Sequence, residues 1–539
     1  MKLIRNLVYI MTTLITLQHA AVQAQSIKPT LMLNGEPASF ESHWAPDPAF
    51  EYDRLTMRYL RAEAAEDDVW SVQIPQSEGQ RVDHWQVLPA ASVQVIESSE
   101  TQISFKLKEP IKEATHLAVL SGSDRLLYLF LDPPNYLPRP ATAINVTELG
   151  ILPDSGALVS DAINQELEKL SLQGGGTLYF PAGEYLISTI LMRDDTYLHL
   201  SKDAVLLASM DFDAYPLDAP GTEFMDLPKS VRPGHKRRMI FFDHVHNSGV
   251  HGQGVIDAQG SEKRRQITDE RYMLNHVRMV KSQNISLKGI ILRDSEFWST
   301  HLLLSQNIVI DGVKVVNEIP PPQWDRYRHP KSNSTWNNAD GINPDSSQNV
   351  AILNCFFHTG DDCVPIKNTA SYKGQRRDVS NIHIRGAMMV TSTTAMKLGT
   401  ETVGGHMGNI LFEDIEVVYA SRVMSTDLKD GITGSNITFR DIRVFQCNRP
   451  FDFWIIRRAD HPDQQIFSNL QNVIVDNLVI QHHAVENSGG ETSHLMGHDA
   501  QHQVNGVTFR QVFIEGKQVV DLSFPKIKTN EFIQNIRFE

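Results

Sequence analysis

The sequence predicts an all-β protein: a right-handed parallel β-helix preceded by a small β-sandwich. Two observations carry the prediction. From about residue 240 the chain repeats a unit of polar–Asn–apolar–x–apolar followed by a second short apolar run, at spacings of 23 to 42 residues. Before residue 138, short alternating runs such as "ASVQVIES", "TQISFKLKE" and "LLYLFLDPP" are separated by turn residues, the pattern of a sandwich.

The chain has 539 residues, 41% hydrophobic and 21% charged, with a formal net charge of −14. Residues 1–24 read as a secretory signal peptide. "MKLIRN" supplies Lys2 and Arg5, "LVYIMTTLITL" is an apolar run too short to span a bilayer comfortably, and "AAVQA" ends on small residues. The expected location is therefore periplasmic or extracellular, with no stable membrane insertion, and removing the leader's two positive charges makes the charge −16. So acidic a chain is a poor nucleic-acid binder, although a local basic cleft can still hold an anionic substrate. The three cysteines, Cys355, Cys363 and Cys447, are too few and odd in number for a disulfide scaffold and read as buried apolar residues.

Residues 25–137 are assigned to the accessory sandwich and 138–539 to the β-helix, with the proline-rich "DPPNYLPRPATA" (132–143) between them. One helix, "SDAINQELEKLSL", is expected to be capped at Ser160 or Asp161 and to bury Ile163, Leu167 and Leu170. "GGGTLYF" precedes a strand and lacks the GK[ST] of a phosphate loop, so it is not read as one. The repeat units include "SQNISLKGIILRD", "SQNIVIDGVKVVN", "SQNVAILNCFFHT" and "GSNITFRDIRVFQ". Their asparagines are Asn284, Asn307, Asn349, Asn381, Asn409, Asn436 and Asn472, with Asn505 one place early in its unit. Stacked coils would align them as a structural ladder at one corner.

"NADGINPDSSQNVAILNCFFHTGDDCVPIK" holds Asp340, Asp345, Asp361 and Asp362. Asp340 and Asp361 are 21 residues apart, one tight coil, so they should occupy matching positions with Asp362 alongside. Repulsion among three such carboxylates should keep at least one protonated near neutrality, and an acid beside a base is what glycosidic hydrolysis needs. Aspartate-rich surface turns are the competing reading. Asp345 lies on a different turn and is read as structural.

These stretches resemble glycoside hydrolase family 28, the polygalacturonase family, over about residues 144–480. "NADGINPDSSQNV" matches N-T-D-G-(I/L)-D-x-x-S-x-N-V, and "GDDCVPIK" matches G-D-D-C-(I/V)-A-(I/V)-K. "GQGVIDAQG", "GGGTLYFPAGEYL" and "SEFWSTHLL" match further family segments, and "LGTETVGG" resembles bacterial exo-acting members, so the chain looks like a divergent bacterial one. The resemblance implies inversion of configuration, with Asp361 as general acid and Asp340 and Asp362 holding and deprotonating the attacking water. Acid and base would then stand about 6.5–9.5 Å apart.

Two family motifs are missing. Thr393, Thr394 and Ala395 stand where G-H-G is expected, and "VMS" stands near 423–425 where R-I-K is expected. The sugar at the cleavage subsite would then differ from ordinary galacturonate. Candidate substrate-binding residues are Lys367 and Lys397 on the strands after the aspartates, His406 beyond the lost G-H-G, and Arg422 and Lys429 flanking the lost R-I-K. Trp336 could stack on a sugar from the insertion 320–337, and Trp454 from one coil past the site, while Trp298 reads as packing. The expected partner is a polysaccharide or oligosaccharide, pectin-like or related, attacked from its ends; neither cofactor nor metal is expected, and the oligomeric state is open. A polysaccharide lyase, which would need calcium and a basic residue, and an inactive sugar-binding β-helix are the alternatives.

Overall fold

A computed structural model describes residues 29–43, 57–74, 84–122, 124–216, 236–266, 273–318, 338–369, 378–455, 467–483, 493–524 and 527–539. The leader at 1–24 and Trp336, with the insertion that carries it, lie outside the described residues. No helix among the described residues is long and apolar enough to cross a membrane.

The chain divides into two compact units, Met1–Tyr136 and Leu137–Glu539. The first contains two five-stranded sheets. Trp70, Val72 and Phe105 from one sheet and Leu117, Val119 and Leu129 from the other share a single buried core. Pairing within the sheets is antiparallel except for one parallel pair, Asp124–Asp132 with Met57–Glu63. The alternation of apolar residues in these short runs is what makes a two-faced sheet, and burying one face of each makes the sandwich.

The second unit is a right-handed parallel β-helix. Its coils each supply three short strands, for example Gln306–Asp311, Lys314–Val316 and Ile342–Asp345. Each strand pairs in parallel with its counterpart one coil on, so that Gln283–Lys288, Gln306–Asp311, Gln348–Leu353 and Val379–Arg385 stack in register. Later coils run the strands together, as in Met388–Thr402, His406–Leu428 and Thr433–Ile455. Alternate residues point inward, and the columns Ile285–Ile308–Val350–Ile382 and Leu287–Ile310–Ile352–Ile384 fill the interior. Fully burying each such side chain contributes about 1.5–3 kcal/mol.

The expected asparagine ladder runs along one corner. Asn284 donates to Asn247, Asn307 to Asn284, Asn349 to Asn307 and Asn381 to Asn349, at 2.9–3.1 Å. Each of the seven in-phase asparagines has φ between 53° and 57°, the left-handed conformation that asparagine tolerates better than most residues. In the unit where Asn505 comes one place early, Gly506 takes the left-handed position with φ 76°. The ladder starts earlier than the repeat suggested, because Asn247 already bonds Asp195.

The helix Ser160–Leu172 buries Ile163, Leu167 and Leu170 as expected. Neither Ser160 nor Asp161 caps it. Val159 holds the cap position, and the Ser160 hydroxyl accepts from the Ser188 N–H instead. All three cysteines are free and buried.

Candidate active site

The carboxylates sit at the entry to one strip of the β-helix, formed by Thr300–Leu303, Ile342–Asp345, Val364–Asn368 and the strands that continue it. Asp340 stands two residues before the start of the second of these strands, and Asp361 and Asp362 precede the third. The ladder fixes their backbones. Ser299 N–H donates to the Asp340 carbonyl, Gly341 N–H to that of Asp362, and Cys363 N–H to that of Thr394. The hydroxyls of Thr359 and Thr391 both donate to the Asp361 carbonyl at 2.6 Å.

The register differs from the one-coil count. Asp345 pairs with Lys367, an offset of 22. Carried back along the hydrogen bonds Ile342 N–H to Cys363 O and Gly341 N–H to Asp362 O, this sets Asp340 over Asp362 rather than Asp361. The three side chains nonetheless converge, with one oxygen of each within 4.8 Å of the others. Asp340 and Asp362 are 1% and 4% exposed, while Asp361 is half-buried.

Two buried lysines hold the cluster. Lys397 Nζ lies 2.7 Å from Asp362 and 3.6 Å from Asp427. Lys367 Nζ lies 3.3 Å from Asp340, 3.0 Å from Glu401 and 3.9 Å from the centre of the Trp298 ring. Sequence reasoning offered both lysines to the substrate; the structure turns them into the protein, because a buried carboxylate group demands paired cations.

Burial pushes the Asp340 carboxyl well above the usual carboxylate range; Lys367 opposes this, and Asp361 and Asp362 add to it. So one carboxyl is raised as expected, but burial is the larger cause and repulsion the smaller. Asp340 Oδ2 faces the Lys367 ammonium at 3.3 Å but has no directed hydrogen bond among the described residues. Burial would raise Asp362 too, but Lys397, through its charge and hydrogen bond, holds it below the usual range, helped by Lys367 and Arg422. Burial acts against the charge of Lys397, yet Asp362 and Asp427 raise its pKa.

The other candidates separate. Asp345 is buried and structural, accepting from Thr369 and pairing with His301 at 3.0 Å. Thr394 N–H donates to the Asp362 carboxylate, and Thr394 pairs in register with Arg422. Arg422 therefore continues the column Asp340–Asp362–Thr394, one place ahead of the position counted from the sequence. Its guanidinium lies 3.7 Å from Asp427 and 3.9 Å from Asp452. Lys429 helps to hold Asp427 ionised, after Lys397 and Arg422, against the effect of burial. His406 is not among the cluster's partners. It begins a strand on the asparagine-ladder side of the coil, where its ring bonds Ser435 at 2.7 Å and its N–H bonds Asp378. Trp298 is buried, as the packing reading expects, and also carries Lys367 on its ring. Trp454 lies three rungs beyond Val364–Asn368 rather than one, since its partner Asp427 is on the intervening long strand.

Sequence reasoning missed Glu401 and Asp427. Glu401 lies inside "LGTETVGG", a segment already marked by its resemblance, whereas Asp427 carries no motif and emerges only from the register.

An all-β chain wound as a parallel β-helix, with clustered carboxylates on its outer face, has counterparts among known proteins. The family described as Glycosyl hydrolases family 28 matches residues 225–528, more than half of the chain. The chain belongs to that family. It is 28% identical over 336 residues to a probable polygalacturonase of Vitis vinifera, covering 60% of this chain and 64% of that one. It is 25% identical over 300 residues to an exo-poly-alpha-D-galacturonosidase of Dickeya chrysanthemi, covering 49% and 48%. The matched regions thus span about half to two thirds of these relatives. The structure of the family 28 exopolygalacturonase of Yersinia enterocolitica superposes with a TM-score of 0.56 at 15% identity, over 87% of this chain and 96% of that one, a likeness of fold.

Proposed function

We propose that the protein is an exported, exo-acting, inverting glycoside hydrolase that cleaves an acidic or galactose-rich, pectin-like polysaccharide. The observation that carries the reading is the triad Asp340, Asp361 and Asp362 drawn within 4.8 Å, with lysines holding two of its members. A binding protein gains nothing from gathering mutually repelling acids.

Asp361, the half-buried member, is the general acid. It gives its proton to the leaving glycosidic oxygen as the C–O bond breaks. Asp362, held ionised by Lys397, is the base that takes a proton from the attacking water while the water oxygen bonds to the anomeric carbon. Asp340 resists ionisation and is the poorer base. Its Oδ2, which faces Lys367 at 3.3 Å without a directed hydrogen bond, keeps acceptor capacity with which to hold the water. The cluster titrates as a unit, so its apparent pKa values belong to all three groups. Lys367 and Lys397 position the carboxylates. Arg422, in the column of Asp362, is the residue nearest to the missing R-I-K arginine in this reading, although two aspartates already engage it. Export rests on the leader-like residues 1–24, and exo-action on the "LGTETVGG" resemblance and the exo-acting relative.

Inversion rests on the family resemblance, and the anomer first released tests it. The experiment is to incubate the protein with polygalacturonate, rhamnogalacturonan and neutral and sulfated galactans. New reducing ends, ultraviolet absorbance of unsaturated products and the anomer first released, by proton NMR, are then followed. Reducing ends without absorbance, with the inverted anomer first, are expected. Absorbance would mean a lyase, the retained anomer would overturn inversion, and Asp361→Asn should cost about 10²–10⁴ in rate while leaving binding intact.

A further inference from the structure

The strip that holds the carboxylates continues past them, and its outer face changes character. Lys397 lies between Asp362 and Asp427, Arg422 between Asp427 and Asp452, and Arg449 donates to Asp452. Each of these three cations already faces protein carboxylates, so none of the three is left unengaged for a sugar carboxylate among the described residues of this stretch. Binding a uronate here would mean separating buried ion pairs, which leaves an uncompensated charge.

On the same stretch an aromatic ring is held in a fixed orientation. The Trp454 N–H donates to Asp427 at 2.6 Å. Its ring stacks on His494, with centroids 4.5 Å apart and planes at 24°. His494 in turn bonds Asp452 at 2.7 Å. Trp454 itself is only half-buried. An indole whose polar edge is satisfied and whose plane is set in advance presents apolar area at little entropic cost, as a sugar-stacking surface requires.

We propose that Trp454 is the platform of a sugar-binding subsite that takes an uncharged pyranose, on the same outer face as Asp340, Asp361 and Asp362. The inference rests on the glycosidase reading and names the kind of chain that reading would cleave. Trp454 is three rungs past the strand Val364–Asn368, roughly 14 Å at the spacing of paired strands. The sugar on Trp454 is therefore not one of the two joined by the cleaved bond. The substrate it selects is a chain with neutral residues at that distance, a galactan or a pectin with neutral stretches, rather than a continuous polyuronate.

The test uses the full chain carrying Asp361→Asn and measures binding of β-1,4-galactotetraose and tetragalacturonate by titration calorimetry. Adding Trp454→Ala should weaken the neutral probe about tenfold, the upper range for an aromatic contact. Trp454→Phe should recover most of the loss and guards against misfolding of the alanine variant. Tetragalacturonate should bind more weakly and change little. In the otherwise unaltered enzyme, Trp454→Ala should raise KM on the cleaved polymer and leave kcat nearly unchanged. An unchanged affinity for galactotetraose, or an equal loss for both probes, overturns the proposal. If the protein cleaves no glycan yet binds galactotetraose through Trp454, the subsite stands and the hydrolase reading falls.

Discussion

Lys397 Nζ lies 2.7 Å from Asp362 Oδ2, the shortest lysine–carboxylate contact in the cluster. Both groups are nearly out of water, so each is the condition for the other's charge. Asp362 is held below the usual carboxylate range; its contribution to stability is therefore full above the unfolded value and is lost as pH falls through its lower folded value. Lys397→Met leaves a buried carboxylate without its main partner. The expected loss is about 3–5 kcal/mol at pH 7, as for a buried pair broken on one side, and less near pH 4, where Asp362 can protonate. If Asp362 is the base, the acid limb of the pH–rate profile moves to higher pH in the variant. Urea denaturation at both pH values and a pH–rate profile check this; an unmoved acid limb would remove Asp362 from the role of base.

Asp340 obeys the opposite sign. Its folded pKa is raised by burial, so its contribution favours the folded state at low pH and is lost as pH rises from the unfolded value through the raised one. Asp340→Asn removes that cost while Lys367 keeps Glu401 at 3.0 Å. The variant should be more stable at pH 7 by about 1 kcal/mol, the usual size of a single stabilising change, and nearly inactive. The gain in Tm should shrink when the melt is repeated near pH 4. A variant less stable at pH 7 would mean that Asp340 is ionised and held by Lys367.

The repeat and the carboxylates were legible because both are local. An asparagine in a left-handed corner and a Gly-Asp-Asp before a strand announce themselves within a few residues. Lateral placement was less so. The offsets between paired strands near the site are 22, 32, 28 and 27 residues, since loops of different length separate the coils. Counting therefore set Asp340 against Asp361 instead of Asp362, missed the column position of Arg422 by one, and put Trp454 too near the site. His406 is close in sequence to the missing G-H-G yet begins a strand on another side of the coil. The destination of the lysines was hidden for a different reason: a lysine beside three acids binds them or a substrate, and only burial distinguishes the two.

Gly341 makes the triad possible. A Cβ there would lie 2.3 Å from the Cys363 carbonyl oxygen and 2.7 Å from the Phe357 ring. The backbone oxygen belongs to the ladder and cannot give way cheaply, so Gly341→Ala must push the Asp340 segment away from Asp362. Overpacking of this kind costs about 1–3 kcal/mol. A displacement near 1 Å between reacting groups costs about 10²-fold in rate. The check is kcat beside a urea titration: a variant that is destabilised yet fully active would show that the spacing of Asp340 and Asp362 is not critical.

The asparagine ladder makes a separable prediction about the scaffold. Asn349 donates to Asn307 at 3.0 Å, accepts from Asn381 at 2.9 Å and holds φ at 54°. Two contributions can be told apart by substitution. Asn349→Gly keeps the backbone conformation and loses the side-chain bonds, each worth about 0.5–1.5 kcal/mol and less at this exposed corner. Asn349→Ala loses the same bonds and also forces a Cβ into the left-handed region, at an additional cost of order 1–3 kcal/mol. Alanine should therefore be clearly more destabilising than glycine in urea titrations, as the glycine at position 506 already implies for the unit that lacks an in-phase asparagine. Equal losses would assign the ladder's value to its hydrogen bonds alone, and no loss in either variant would make the corner dispensable to the coil.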